Sequence, residues 1–331
     1  GHEREEERAH EGGRTRRGKV SIQCRRGVWL PRRTLRPMWI WLSLLAALGG
    51  AGTSFGLKRA LDGAGAVGAT VAYRLVGGGL LLAFVVGAGL GWPMQPGYLG
   101  AVALAIPFEV IGTVAFTMAL RAGDLSLVQP LFGLLPVTVT LGAAVALRET
   151  PTPGAVAGIV LVAAGVYVLA LGDGRGWWAP LRALAMHPAG RWAGLSILAW
   201  SVTTVLHKIG IAASGPMPWA VTLALGSAVA LAVVAPLLPR GLRTVPDRPP
   251  TRHSWLWWAG LAGLLYAVQQ VGLQFALAIA PAGYVIALAS TSLLLSVVIG
   301  LVWLGEREAG RARLTGAALV TLGAALVGLY G

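Results

Sequence analysis

The chain has 331 residues, of which 56% are hydrophobic and 12% are charged. Soluble domains have about 25% charged residues, so this composition indicates a membrane protein and excludes an ordinary soluble domain. Lys and Arg outnumber Asp and Glu 27 to 13, but they lie mainly in residues 1–37 and between apolar runs, so no nucleic-acid partner is expected. The single cysteine, Cys24, excludes an internal disulfide framework and a multi-cysteine metal site.

Residues 1–37 differ from the rest of the chain. They are rich in charge and include eleven of the 27 basic residues, a composition typical of a disordered tail. No apolar run of about 7–15 residues precedes Trp39, so a secretory signal is not predicted. Two interpretations stay open: a genuine tail, or an upstream extension of a protein that starts at Met38.

From Trp39 onward, apolar runs follow one another with short breaks between them. About 20 residues are needed to cross the hydrocarbon core of a bilayer, and backbone polar groups in lipid must be satisfied internally, so these runs predict transmembrane helices. The predicted spans are 39–57, 66–90, 97–120, 125–147, 154–172, 191–213, 218–239, 254–279, 282–304 and 314–330.

The predicted helices form an internal repeat. Lys58 closes the first helix and Lys208 closes the sixth, 150 residues later. Glu149 ends the fourth helix and Glu306 ends the ninth, 157 residues later. These offsets predict two five-helix halves, 38–173 and 191–331, joined by a linker at 174–190. Because five is odd, the second half would be inverted in the membrane, an arrangement used by transporters with a site at the midplane.

This pattern resembles the drug/metabolite transporter superfamily, and specifically its EamA-like members. The resemblance is carried by Lys58 and Lys208, by the SLVQPLFGLLPV run at 126–137, and by the two helix-ending glutamates. It implies secondary transport, often export, of metabolites or drugs through a central cavity that opens alternately to each side. The ninth helix departs from the fourth, because Ala287 and Leu293 replace Pro130 and Pro136 at the equivalent positions.

Two matched polar stripes predict where the transported solute binds. Glu109, Thr113 and Thr117 share one face of the third helix because they are spaced by four residues. The repeat offset places three polar residues, with Gln269 beside them, at the equivalent positions of the eighth helix: Tyr266, Gln270 and Gln274. The stripes predict a shared cavity; the alternative is that they form interhelical hydrogen bonds only.

The first and sixth helices repeat this pattern more weakly. Ser54 and Lys58 correspond to Thr204 and Lys208, with His207 alongside. These five residues are weaker cavity candidates, because lysines near helix ends commonly extend to the lipid headgroups. His207 has a titration range suited to a proton relay, but a histidine at the membrane edge is more often solvated.

Arg74 and Glu109 are charges within predicted spans, where charge is costly and tends to face a cavity or a partner. Arg74 has four open roles: pairing with Glu109, binding an anionic substrate, extending to the headgroups, or packing at a polar helix contact. Glu109 is the candidate site for a proton or another coupling ion.

The sequence favours a secondary transporter, more often an exporter, of a small organic metabolite or drug in the inner (plasma) membrane. The alternative is a divalent-cation carrier or channel of the same architecture. An enzyme is not expected because Asp62, Asp124, Asp173 and Asp247 are isolated, and no cofactor or resident metal is expected. No G-x-x-x-x-G-K-[ST] motif occurs, so ATP-driven pumping is not expected either. The expected partners are the solute and the lipid bilayer.

The basic residues between spans predict an orientation. Breaks after the odd-numbered helices hold thirteen Lys and Arg, whereas those after the even-numbered helices hold only Arg148 and Lys208. Positive charge in short loops stays cytoplasmic, so the bundle alone favours both ends outside. The family resemblance and the basic tail favour both ends inside.

We therefore predict that a form starting at Met38 places Gly331 on the periplasmic side. Alkaline phosphatase fused after Gly331 would then be active, and a fluorescent protein fused there would be dark. Bright cytoplasmic fluorescence would contradict the loop-charge rule for this chain. The same fusions on the full chain would show whether the basic tail changes the orientation of the bundle in the membrane.

Overall fold

In the computed structural model, all regular secondary structure among the described residues is helical. These residues are 32–123, 128, 131–171, 178, 186–238, 240–243, 254–292, 294–295 and 311–330. The helices are α1 Arg32–Ala60, α2 Ala66–Gly87, α3 Tyr98–Ala122, α4 Leu135–Leu147, α5 Pro153–Leu171, α6 Pro188–Ser214, α7 Pro216–Val234, α8 Ser254–Ile279, α9 Ala282–Ala289 and α10 Arg311–Tyr330. A 3-10 turn at Phe132–Leu134 precedes α4, another at Ala235–Leu237 follows α7, and Arg240–Arg243 forms one short helical turn.

Six of the described helices are long and apolar enough to cross a membrane. They are α1 from Met38 onward, α2, α3, α6, α7 with its 3-10 turn, and α8. Shorter apolar helices occupy Phe132–Leu147, Pro153–Val168 and Thr315–Tyr330. The predicted ninth span, 282–304, is described only as far as Leu295, and the predicted motif residues Pro130, Leu293 and Glu306 lie outside the described residues. The structure is therefore all-helical where described, and length alone supports six of the ten predicted crossings.

Two helices begin before the predicted starts of the two halves. Helix α1 begins at Arg32, so residues 32–37 of the predicted tail are helical. Arginine is a good helix former, and a helix can extend into water beyond its apolar run. Helix α6 begins at Pro188, inside the predicted 174–190 linker, because proline is well accommodated in the first helical turn. The tail before Arg32 and most of the linker lie outside the described residues.

Close helix pairs position the interior of the bundle. Helix α1 packs on α8, and a Cβ added at Gly49 would lie 2.5 Å from the backbone nitrogen of Gln269. Helix α3 packs on α6, and a Cβ at Gly112 would lie 2.5 Å from the Trp200 ring. In lipid, such small residues let helices approach closely and gain van der Waals contact. Helix α2 packs on both α7 and α8, and α5 packs on α10.

Lys58 and Lys208 bind the carboxyl ends of neighbouring helices. The Lys58 ammonium donates to the carbonyl oxygens of Leu120 and Gly123 at the end of α3, the latter at 2.8 Å. The Lys208 ammonium donates to Leu277 and Ala280 at the end of α8, at 3.0 and 2.7 Å. The last carbonyl groups of a helix have no internal partner and carry partial negative charge, so a cation there is favourable.

Glu149 extends the Lys208 contact to two further helices. One of its carboxylate oxygens lies 3.0 Å from the Lys208 ammonium, and the other accepts from the backbone N–H of Ala282 at 2.8 Å. The ends of α4, α6 and α8 and the start of α9 are therefore joined at one end of the bundle. We call this end the Ser214 end, after the last residue of α6, and the opposite end the Ala60 end.

We expect Lys58→Met and Lys208→Met each to lower the stability of the folded protein by about 1–3 kcal/mol, because two helix-end carbonyl groups lose a charged donor. Thermal unfolding in detergent would measure this as a lower midpoint. Arg59→Met is the matched control, since Arg59 is exposed on the same turn as Lys58 and contacts the Phe55 ring. An equal fall in the Arg59→Met midpoint would contradict the capping role.

Candidate functional site

A cavity of about 170 Å³ lies inside the bundle. Its walls come from α1, α2, α3, α6, α8 and α9 and from the segment around the start of α4. Of the sequence-predicted residues, eight line it: Arg74, Glu109, Tyr266, Gln269, Gln270, Ser54, Thr204 and His207. The cavity thus combines one acid, one base, several amides and hydroxyls, and aromatic rings.

A buried ion pair joins α2 to α3 at the cavity wall. One Nη of Arg74 donates to a carboxylate oxygen of Glu109 and, at 2.5 Å, to the hydroxyl of Thr113. The other Nη donates to Ser227 on α7 at 2.9 Å. Arg74 is 2% exposed and Glu109 is 5% exposed, so both charges are shielded from water and satisfied by each other.

Two tyrosine rings complete the surroundings of Arg74. Its Nε donates to the Tyr73 hydroxyl at 3.2 Å, and its guanidinium carbon lies 5.0 Å from the centre of the Tyr266 ring. A guanidinium over an aromatic face is attracted by the ring quadrupole. Every guanidinium nitrogen of Arg74 therefore has a protein partner. Of the four open roles of Arg74, this geometry favours pairing with Glu109, because an anionic solute would have to displace existing contacts.

The predicted stripe on α3 is divided between two neighbours. Glu109 lines the cavity, whereas Thr113 and Thr117 are turned toward α2 and do not line it. Thr117 shares a hydrogen bond of 2.9 Å with Thr70, and Thr113 accepts from Arg74. The prediction that the whole stripe faces the cavity is therefore replaced by a polar α2–α3 contact, because α2 presents Thr70 and Arg74 to these hydroxyl groups.

The stripe on α8 also has a member behind the cavity wall. Tyr266, Gln269 and Gln270 line the cavity, but Gln274 is fully buried outside its lining. The Gln274 amide donates to the Gln270 side-chain oxygen at 2.8 Å and contacts Nδ1 of His207 at 3.0 Å. Gln274 therefore supports the wall instead of contributing to its surface.

The weaker candidates on α1 and α6 are also divided between the cavity lining and positions outside it. The hydroxyl groups of Ser54 and Thr204 donate to backbone carbonyls within their own helices, at 2.9 and 2.7 Å, while both side chains line the cavity. Lys58 and Lys208 lie outside the cavity because they bind the ends of α3 and α8. His207 is 7% exposed and lines the cavity, so it is not the solvated membrane-edge histidine considered from sequence.

Three aromatic side chains were not predicted as part of the site. Phe116, Phe132 and Trp200 line the cavity as one cluster, with ring centroids 5.2 to 5.7 Å apart. The repeat offsets could have identified two of them, because they relate these positions to other lining residues. Position 116 pairs with Leu273 and position 132 with Ala289, and both partners also line the cavity.

The same offsets add further lining residues. Thr53 pairs with Thr203, and Gly50 pairs with Trp200, and all four line the cavity. Among the described residues, no three His, Cys, Asp or Glu side chains are grouped so that they could hold a metal ion. The site is therefore best described as a polar and aromatic cavity with one internally neutralised charge pair.

Comparison with known proteins relates part of the chain to a transporter family and its fold to a solved structure. Residues 37–171 match the EamA-like transporter family, which confirms the resemblance predicted from sequence: over these residues the chain is EamA-like, and this family is one of transporters. A solved structure, described only as the crystal structure of a protein, is similar in fold with a TM-score of 0.68. Its sequence is 20% identical, and the alignment covers 88% of this chain and 99% of the chain of the solved structure. No protein of curated function matches the sequence.

We predict that Arg74 and Glu109 depend on each other for stability. Glu109→Gln or Arg74→Met alone leaves one buried charge without its partner, which costs about 3–5 kcal/mol. The double variant removes both charges and should be more stable than either single variant. Thermal unfolding in detergent of the four proteins completes the double-mutant cycle.

Ser227→Ala is the control for this cycle, because it removes one neutral partner of Arg74 and leaves the ion pair intact. It should cost only about 1 kcal/mol. Additive losses in the double variant would show that the two charges do not stabilise each other.

Proposed function

We propose that this protein is a secondary active transporter that moves a small organic solute, in the export direction, across the inner membrane by alternating access. The observation that carries the proposal is the cavity at the centre of an EamA-like helical bundle. The proposed architecture is ten transmembrane helices in two inverted halves, with the solute bound where the halves meet.

The cavity lining supports the proposed repeat. Offsets of 150 residues between the first two helices of each half, and of 157 for the later ones, relate one lining residue to another at several positions. The clearest pairs are Thr53 with Thr203, Ser54 with Thr204, and Glu109 with Tyr266. A cavity whose lining is exchanged by the repeat would lie at the interface of the two proposed halves, as alternating access requires.

The two lysine contacts support the same exchange. Adding 150 to Lys58 gives Lys208, and adding 157 to its acceptors Leu120 and Gly123 gives Leu277 and Ala280, which are the acceptors of Lys208. Close packing follows the pattern too, because α1 packs on α8 as α6 packs on α3. Equivalent contacts in both halves would let the two ends of the bundle open and close by equivalent motions.

The size and chemistry of the cavity restrict the solute. An engineered cavity of about 150 Å³ holds benzene, which has six non-hydrogen atoms, so about 170 Å³ suits a solute of about seven non-hydrogen atoms. Phe116, Phe132 and Trp200 offer apolar faces, while Gln269 and Gln270 offer amide groups. Since Arg74 and Glu109 neutralise each other, we propose a solute with little net charge and both apolar and hydrogen-bonding parts.

The alternative of a divalent-cation carrier or channel gains no support from the described residues. Divalent cations such as Mg²⁺ and Ca²⁺ require several oxygen ligands, usually including carboxylates. The carboxylate in the cavity, Glu109, is already paired with Arg74. A cation would therefore have to compete with a buried guanidinium for this carboxylate.

Flux into proteoliposomes tests the proposed function. The purified full-length protein should move one or more small neutral or zwitterionic organic solutes, and an imposed proton or ion gradient should drive the movement uphill. Flux that requires ATP inside the vesicles, or uptake of divalent metal in place of organic solutes, would overturn the proposal.

Single cysteines test whether the solute passes through the cavity. In a Cys24→Ser background, Ser54→Cys and Thr204→Cys should react with a small water-soluble thiol reagent, and the reaction should block flux because both positions line the cavity. Ser43→Cys on α1 and Ser196→Cys on α6 are matched controls, because both serines are fully buried outside the lining. Equal block at all four positions, or at none, would rule out this route.

A further inference from the structure

His207 is held by two nitrogen groups that point at the same ring nitrogen. Its Nδ1 lies 3.0 Å from the indole Nε1 of Trp219 and 3.0 Å from the side-chain nitrogen of Gln274. No other hydrogen bond of His207 is found among the described residues, while its side chain reaches the cavity. Nδ1 is therefore engaged by two side chains that lie outside the lining, while Nε2 has no hydrogen-bond partner among the described residues.

The indole of Trp219 determines the tautomer of this histidine. An indole N–H can only donate a hydrogen bond, so Nδ1 of His207 must accept it with a lone pair. The neutral ring then carries its hydrogen on Nε2. This assignment does not depend on which way the Gln274 amide is turned, because Trp219 alone requires it.

We infer that His207 is a proton switch that holds the Ser214 end of the bundle closed when neutral and releases Trp219 when protonated. A second proton can bind only at Nδ1, because Nε2 is already protonated. The new N–H would then face the indole N–H of Trp219, donor against donor. The step is the transfer of one proton from hydronium to Nδ1, which leaves a water molecule, and it requires that the Trp219 hydrogen bond first breaks so that Nδ1 becomes accessible. The role of this switch in transport rests on the proposed function, whereas the protonation of His207 does not depend on it.

Gln274 provides a replacement partner for the protonated ring. Its side-chain oxygen is fully buried and finds no hydrogen-bond partner among the described residues, which is costly for an acceptor. Turning the Gln274 amide would bring this oxygen toward Nδ1, where it could accept from the imidazolium. The Gln270 amide would turn with it, so that the Gln270 nitrogen donates to the Gln274 oxygen. The unsatisfied acceptor beside His207 is thus explained as the partner of the protonated state.

Trp219 is the packing element at the Ser214 end. It is fully buried, and its ring fills the space beside Gly210 so closely that a Cβ there would lie 2.3 Å away. Its ring also meets Tyr98 edge-on at 6.2 Å. Tyr98 in turn shares a hydrogen bond of 2.7 Å with Thr222. Release of the indole would therefore loosen α7 from both α6 and α3 at this end.

The charges around His207 permit this titration. The cavity charges are the mutually paired Arg74 and Glu109, so protonation meets no uncompensated charge there. The titratable and charged groups within the helices around His207 include Tyr73, Arg74, Tyr98, Glu109, Tyr266 and Lys208. Lys58, Arg59, Arg121 and Arg191 lie at the opposite ends of these helices. Lys208 is held by the end of α8 and by Glu149, so its positive charge is also compensated.

NMR of the full-length protein with ¹⁵N-labelled histidine, in lipid nanodiscs, tests the switch without any transport assay. The His207 signals are assigned by their loss in His207→Asn. We expect the Nε2–H tautomer at high pH. In Trp219→Phe, which removes the opposing donor, the His207 titration midpoint should move up by about one pH unit, or about tenfold in proton affinity.

His187 is the internal control in the same spectra. It is exposed at the start of α6, and its Nδ1 also accepts a hydrogen bond, from the backbone of Ala189 at 3.2 Å. Its midpoint should not change in Trp219→Phe. An Nδ1–H tautomer of His207, or a midpoint that stays or falls in Trp219→Phe, would overturn the inference.

Flux measured against pH connects the switch to transport. His207→Asn keeps an oxygen near the Nδ1 position to accept from Trp219 but cannot titrate, so flux should lose the pH dependence that follows the His207 midpoint measured by NMR. A wild-type pH profile in this variant would overturn the inference even if transport is normal. Absence of flux in every form would instead overturn the proposed function, and the NMR titration would still decide the switch.

Discussion

The interior of this bundle depends on the buried pair of Arg74 and Glu109. In a medium of low dielectric constant, either charge alone would be strongly unfavourable, so the two must remain together. Because Arg74 also binds Thr113 and Ser227, the pair fixes α2 against both α3 and α7. Because the two charges cancel, the pair adds no net charge to the cavity, whose wall also includes the Tyr73 and Tyr266 rings.

Close approach of helices gives the bundle its second constraint. Gly50 faces Gln269 where α1 meets α8, and Trp200 faces Gly112 where α6 meets α3. The repeat offsets exchange these two contacts, but the small residue lies on opposite helices in each. Each contact therefore pairs a glycine with a larger side chain, but the chemistry differs: one contact brings an amide to the cavity and the other an indole ring.

The two ends of the bundle share one kind of contact and differ in another. A lysine caps a neighbouring helix at each end, through Lys58 at the Ala60 end and Lys208 at the Ser214 end. Only the Ser214 end carries the His207–Trp219 contact, because Ala69 occupies the repeat position of Trp219. If the two ends of the bundle open in turn during transport, this difference makes the opening of the Ser214 end depend on pH in a way that the opening of the Ala60 end does not.

The sequence by itself determined the helical class, the polar positions and the resemblance of residues 37–171 to the EamA-like transporter family. Apolar runs of membrane length can satisfy their backbone only as helices, and residues such as Glu109, Gln270 and Thr204 stand out because polar groups in lipid need a partner. Which neighbour each polar residue meets was decided by tertiary structure. Thr117 turned to α2, Lys58 to the end of α3, and His207 to Trp219. The physical reason is that a membrane helix is apolar on its lipid face and on its packed face alike, so its sequence marks no inward side.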